Sequence, residues 1–241
     1  MRNKIAAVIL GAGKGTRMKS DKPKVLMPVC GKPMIRHIIE TLQKVPVDEI
    51  VTVISPEGQD VAAEVAPYKT CVQDKQLGTG HAVNCAKDAL QGFDGTVLVV
   101  FGDTPLIRAE TFKRAAEKVE DGFAVVVLGF KPEDAGRYGR LVMNGSELER
   151  IVEFKDASEE ERAITFCNSG VMAFDGKHLF DILSRIGNNN AAGEFYLTDA
   201  VETARNMGLK CSAFEGKAEE VASANTLEEL AQLEVYYRKA D

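Results

Sequence analysis

No stretch of the sequence approaches the about 20 consecutive apolar residues that a membrane-spanning helix needs. The N-terminal segment Met1 to Leu10 carries cations, but it lacks the long apolar region and cleavage site of a secretory signal. The five cysteines (Cys30, Cys71, Cys85, Cys167 and Cys211) are odd in number and form no C-x-x-C. A disulfide framework or zinc knuckle is a poor match for that pattern, and reduced thiols in the cytoplasm are the expectation. The three histidines are scattered and none belongs to an H-E-x-x-H pattern. There is no basic block, and 30 Lys and Arg against 36 Asp and Glu give a formal charge of −6. Such a chain is not built for non-specific nucleic-acid binding, although a few focused cations suffice for a phosphorylated small molecule. No internal repeat and no Pro/Ser-rich linker interrupts the chain. At 241 residues it is long enough to bury roughly three quarters of its unfolded surface without a metal or disulfide staple.

The first half alternates short apolar runs with amphipathic stretches. Strands are predicted at Lys4–Leu10, Glu49–Ile54, Thr70–Gln73 and Thr96–Phe101. Helices are predicted at Pro33–Val45, Glu57–Ala66, Thr79–Leu90 and Arg108–Val119. Unbroken apolar strands between helices imply a Rossmann-like, mostly parallel sheet. After about residue 123 the rhythm changes. Strands at Ala124–Phe130, Leu141–Met143, Leu148–Phe154, Thr165–Phe174 and Leu209–Phe214 surround a charged stretch, Lys155–Arg162, which reads as a solvated segment. Helices follow at Leu179–Arg185, Tyr196–Met207 and Leu227–Lys239. This half reads as α+β, with a smaller sheet laid beside the first.

The densest motif is Leu10-Gly11-Ala12-Gly13-Lys14-Gly15-Thr16-Arg17-Met18 with Pro23-Lys24-Val25-Leu26 after it. Glycines behind a buried strand let backbone amides approach an anion, and Lys14, Arg17 and Lys24 add charge. The loop is neither a Walker A nor a clean G-x-G-x-x-G. Gly78-Thr79-Gly80 opens a helix, with Thr79 as its cap or with the amides turned to a ligand. Gln73 carries the donor and acceptor that suit the edge of a pyrimidine. Asp103 follows a buried strand, where open α/β sheets bind ligands; it either holds Mg²⁺ or closes a turn before Pro105. Asn225 and Thr226 precede the last helix with Glu228 and Glu229, as in a capping box. Glu153 and Asn168 are polar residues at strand positions, where a carboxylate suits sugar hydroxyls and an amide suits an N-acetyl group.

G-x-G-T-R-M followed by P-K-V-L resembles the signature of the sugar-1-phosphate nucleotidyltransferases. The run Asn188-Asn189-Asn190-Ala191-Ala192-Gly193-Glu194-Phe195-Tyr196-Leu197-Thr198-Asp199 is similar more narrowly to the N-acetylglucosamine-1-phosphate uridylyltransferases, and the likeness extends from about residue 5 to the last helix. The resemblance implies an α/β nucleotide-diphospho-sugar transferase fold with a smaller α+β sugar-binding part. It also implies that UTP and N-acetylglucosamine 1-phosphate become UDP-N-acetylglucosamine and pyrophosphate. Arg17 and Lys24 are then the catalytic cations. Leu10, Gly11, Ala12, Gly13, Lys24, Gln73, Gly78 and Thr79 would bind the nucleotide, and Gly139, Glu153, Asn168, Tyr196 and Thr198 the sugar. Asp103 and Asn225 would hold Mg²⁺. A different sugar 1-phosphate or nucleotide, or a catalytically silent sensor on the same fold, are the alternatives. The common bacterial enzyme of this type continues into a left-handed β-helix acetyltransferase domain, whose hexapeptide repeats do not occur here. One nucleotidyltransferase domain is expected over 1–241, with a nucleotide-binding half (1–122), a sugar-binding half (123–225) and a C-terminal helix (226–241). A cytoplasmic monomer without nucleic-acid or membrane partners is expected.

Overall fold

The computed structural model describes residues 3–13 and 22–240. Apolar strands and amphipathic helices alternate from the start: β1 (Ile5–Leu10), the short pair β2 (Pro28–Val29) and β3 (Lys32–Pro33), α1 (Met34–Gln43), β4 (Glu49–Ile54), α2 (Gln59–Val65), β5 (Lys69–Val72), α3 (Thr79–Asn84), β6 (Thr96–Phe101) and α4 (Ala109–Glu120). The second half adds β7 (Val125–Phe130), β8 (Arg140–Asn144), β9 (Glu147–Val152), α5 (Glu159–Arg162), β10 (Cys167–Asp175), α6 (Gly176–Arg185), α7 (Asp199–Asn206), β11 (Cys211–Glu215) and α8 (Leu227–Ala240). No helix among the described residues is long and apolar enough to cross a membrane.

The main sheet runs β11-β7-β10-β6-β1-β4-β5. β6, β1, β4 and β5 are parallel, β11 is parallel to β7, and β10 is antiparallel to both neighbours. β1 is buried along its whole length, because both faces are covered. Ile35, Ile38, Ile39, Leu42 and Phe112 of α1 and α4 pack on one face. Val83, Leu179, Ile182, Val201 and Ala204 of α3, α6 and α7 pack on the other. That burial explains why the strands read as continuous apolar runs rather than alternating ones.

Among the described residues, the second sheet expected beside the first does not form. β10 inserts between β6 and β7, so the later strands extend the same sheet. β8 and β9 leave its path, as a hairpin attached to β10 at the pair Cys167 and Arg140. α3 and α7 fall furthest short of their expected lengths. α3 ends at Asn84 and the chain tightens into a 3-10 turn at Asp88–Leu90. Ala82, Val83, Ala86 and Leu90 stay buried through both geometries, so the apolar pattern does not mark the change. Tyr196 to Thr198 lie outside α7: the Leu197 amide is bonded to another segment, as described below, and their carbonyls accept from the first residues of the helix in tight turns. The charged stretch 155–162 contains α5, closed by a capping box between Ser158 and Glu161 and an Arg150–Glu161 ion pair at 2.8 Å.

Candidate active site

β1 and β6 lie in register and end together, Leu10 opposite Phe101. From β1 the sheet extends to β4 on one side and to β6 on the other, so these ends face the crevice at the topological switch. The turns that follow are fastened to the sheet. The Gly102 amide donates to Leu10 O at 2.9 Å, and the Gly11 amide donates to Val53 O at 2.8 Å. Gln76 Nε2 donates to Ala12 O at 2.7 Å. Gly11 therefore offers no free amide to an anion, which corrects the expectation for the loop at this position. It faces β4, and a Cβ there would sit 3.2 Å from Val53 O.

Leu10, Ala12, Gly13, Lys24, Gln73, Gly78, Thr79 and Asp103 line one cavity of about 270 Å³. At its mouth the Lys24 ammonium donates to Asn225 Oδ1 at 2.8 Å and forms an ion pair with Asp103. The chain brings these three together from a 3-10 turn (Lys24–Leu26), the end of β6 and the approach to α8. The capping question before α8 resolves by division of labour. Thr226 Oγ1 accepts the Glu229 amide at 3.2 Å, and the Glu229 carboxylate accepts the Asn225 amide. The Asn225 side-chain oxygen is thus turned to Lys24 instead of to the helix end. Thr104, not Asp103, ties its hydroxyl back to Phe101 O at 2.9 Å. Arg17, like Lys14, lies outside the described residues.

Thr79 does not cap α3 either. Its Oγ1 accepts the Leu197 amide at 2.9 Å. The Gly80 amide donates to Phe195 O, and the Phe195 amide to Leu77 O, each at 2.8 Å. These bonds zip 77–80 to 195–197, and Leu197 and Thr198 then turn directly into α7. Gly78 has φ +115°, and a Cβ would lie 2.5 Å from Phe195 O, so glycine is required by both conformation and space. Gln73, almost fully buried, donates to Gly78 O at 3.0 Å and lies 3.2 Å from His81 Nδ1.

The residues assigned to the sugar form a second group beside this cavity. Thr198 Oγ1 donates to Glu153 Oε1 at 3.0 Å. The Asn168 amide donates to Gly139 O at 2.8 Å, and a Cβ on Gly139 would lie 3.5 Å from Glu153 Oε1. Asn168 opens a bulge in β10 and its Oδ1 accepts the Gly170 amide at 3.0 Å. The bulge turns the strand at this point. The ring of Phe101 fills the space over Gly170, which puts the cavity wall against the sugar group. The asparagine run builds the remaining wall. Asn190 Oδ1 accepts the amides of Ala192 and Glu194, each at 3.2 Å, and its Nδ2 donates to Glu194 O at 2.6 Å. Asp156 anchors the run through the Ala191 amide at 2.9 Å.

This side is acidic and partly dry. Burial raises the Glu153 carboxyl, against the Thr198 hydrogen bond, and Asp156 adds to the rise. Burial also raises the Tyr196 phenol, followed by Asp156, Glu153 and Glu194. Asp199 is pushed up to about 6, first by burial and then by Glu202, Glu153 and Asp156. A carboxyl whose folded pKa exceeds its unfolded value favours the folded state when protonated, so its contribution to stability falls as pH rises from about 4 to about 6 and is level above that. Asp199→Asn is therefore expected to stabilise the protein at pH 8 by about 1 kcal/mol, discounted for the screening of a half-exposed carboxylate, and to change little at pH 4. Thermal unfolding at both pH values checks this; an equal effect at both excludes the titration as its cause.

Gln76, Phe101 and Glu194 also line the cavity, and sequence reasoning gave them no role. No spacing separates Gln76 from its polar neighbours; only the fold brings it to Ala12.

The fold is that of the nucleotide-diphospho-sugar transferases. The chain aligns over 98% of its length with 96% of a Bacillus anthracis protein assigned as a glucose-1-phosphate thymidylyltransferase, with TM-score 0.79 and 20% identity. It aligns over 99% of its length with all of a UDP-glucose pyrophosphorylase in complex with UDP-glucose, with TM-score 0.75 and 19% identity. Residues 7–184 match the MobA-like NTP transferase domain, and the chain belongs to that family. It is also 55% identical over 234 residues to the bifunctional protein GlmU of Rhodospirillum rubrum, covering 96% of this chain and 52% of that one. The chain spans about half the length of the curated relatives it matches.

Proposed function

We propose that the chain joins UTP to N-acetylglucosamine 1-phosphate, giving UDP-N-acetylglucosamine and pyrophosphate. A phosphate oxygen of the sugar phosphate forms a bond to the α-phosphorus of UTP, and the bond from that phosphorus to the departing pyrophosphate breaks in line. Such a transfer asks a protein mainly for alignment and neutralisation of charge. The observation that carries the reading is the meeting of Lys24, Asp103 and Asn225 at the mouth of a cavity walled by Gln73, Gly78 and Thr79.

Gln73, Gly78 and Thr79 hold the uracil end. Arg17 and Lys24 neutralise the phosphates, together with the amides of the glycine loop other than that of Gly11. Gly139, Glu153, Asn168, Tyr196 and Thr198 orient the sugar. The oxygens of Asp103 and Asn225 already converge on one cation, the Lys24 ammonium, and hard oxygen donors of this kind fit Mg²⁺. When bound, Mg²⁺ draws charge from the phosphates and makes the α-phosphorus more electrophilic. In this reading residues 1–122 serve the nucleotide, 123–225 the sugar, and 226–241 close the site behind Asn225, with the chain acting as a monomer in the cytoplasm.

Pyrophosphate release measured over a panel of nucleoside triphosphates and sugar 1-phosphates tests the reading. UTP with N-acetylglucosamine 1-phosphate is expected to give the highest kcat/KM, and only with Mg²⁺ present. A faster pair, or nucleotide binding without turnover of any pair, overturns it.

A further inference from the structure

Arg140, the first residue of β8, is 2% exposed. Among the described residues no carboxylate pairs with its guanidinium. Nε and both terminal nitrogens donate instead to four backbone carbonyls: Ala135 at 3.2 Å, Gly136 at 3.1 Å, Arg162 at 3.3 Å, and Tyr138. A buried charge without a counterion is costly unless its hydrogen bonds are made. Three of the four carbonyls belong to the irregular loop between β7 and β8, and their shared donor gathers that loop around one planar group.

The placement of Arg140 relative to the acceptor group is systematic. Gly139 precedes it directly. Phe154, which follows Glu153, has its ring centroid 5.8 Å from the Arg140 guanidinium and 4.7 Å from that of Arg162, whose carbonyl Arg140 holds. Cys167, which precedes Asn168, is paired with Arg140 between strands. Gly139, Glu153 and Asn168 are thus each one residue from Arg140 or from a residue it contacts. Arg140 itself lines no part of the nucleotide cavity.

We infer that Arg140 is a positioning residue for the sugar 1-phosphate: its guanidinium fixes the mutual spacing of Gly139, Glu153 and Asn168 and leaves the nucleotide side untouched. The inference rests on the transfer reaction proposed above. A fixed cluster discriminates between sugars because its polar groups are placed for one pattern of hydroxyl and amide, and misplacement by about 1 Å lowers efficiency steeply.

The test is steady-state kinetics on Arg140→Met and Arg140→Lys with each substrate varied in turn, alongside thermal unfolding and calorimetric titration with UTP. The wild type is assayed first over the substrate panel. If it turns over no sugar 1-phosphate, the transfer reading fails before Arg140 is examined. With an active wild type, Arg140→Met is expected to raise the KM for its preferred sugar 1-phosphate about tenfold or more. The KM and Kd for UTP should stay within about twofold, and the preference over other sugar 1-phosphates should fall. Arg140→Lys should lie between, because an ammonium does not reproduce the planar fork. Equal changes in the two KM values, or an unchanged sugar KM in either folded variant, overturn the inference. If Arg140→Met does not fold, the split in Arg140→Lys decides.

Discussion

Asp103→Ala is expected to lower kcat by about 10²–10⁴ while the protein stays folded. The turn that carries Asp103 is fixed without its side chain, by the Gly102 amide on Leu10 O and the Thr104 hydroxyl on Phe101 O. The carboxylate meets Lys24 at the rim of the crevice, not in the core, and is 20% exposed. Its removal leaves Lys24 with Asn225 and opens no apolar cavity. In the proposed transfer the loss falls on the transition state, where charge on two phosphate groups must be offset together. Asp103→Asn keeps one oxygen and loses the charge, and should lie between. Turnover measured against Mg²⁺ concentration, with a melting curve for each variant, checks this. Turnover near that of the wild type in the alanine variant removes Asp103 from the proposed metal site.

Gly78→Ala is expected to impair both binding and stability. The added Cβ falls 2.5 Å from Phe195 O and 2.8 Å from Phe195 N, and the backbone there has φ +115°. Backbone has no flexible end to move aside, so the contacts between 77–80 and 195–197 must part. Loss of about 2 kcal/mol follows from strain and broken bonds, seen as a fall in Tm of about 4–8 °C. The KM for UTP should rise about tenfold or more, since the displaced segment carries Thr79 and holds Gln73 through Gly78 O. Gly187→Ala, where a Cβ meets open space, is the control and should change neither quantity. If Gly78→Ala resembles this control, the zip is not what shapes the proposed nucleotide pocket.

The elements that position the crevice were legible because burial imposes a period on the sequence. β1, β4 and β6 are covered on both faces and read as unbroken apolar runs, and α1 and α4 carry their apolar stripes plainly. The strands β2 and β3, with two residues each, carry no period at all. The continuity of the sheet was hidden for another reason: β10 between β6 and β7 is a pairing of distant segments, which local pattern does not encode. The Ser158 and Glu161 capping box was present as a signal for α5, but the surrounding charge obscured it.

At the site, residue type and local position pointed to Lys24, Asp103 and Gln73. Three ambiguities needed the fold. Thr79 and Asn225 each had a local partner available, a helix end, and each side chain took a distant one instead. Asp103 could have closed its own turn, but Thr104 does so. Arg140 stood in the sequence only as part of Tyr138-Gly139-Arg140, and nothing there marks a cation destined to be buried among carbonyls.

A crystal structure with UDP-N-acetylglucosamine and Mg²⁺ tests the whole account most directly. The uracil should lie against Gln73, Gly78 and Thr79, the metal on Asp103 and Asn225 with the Lys24 ammonium moved to phosphate oxygen, and the sugar against Glu153 and Asn168. A sugar nucleotide bound elsewhere, or Lys24 still seated on Asp103 and Asn225 with no metal between them, would contradict it.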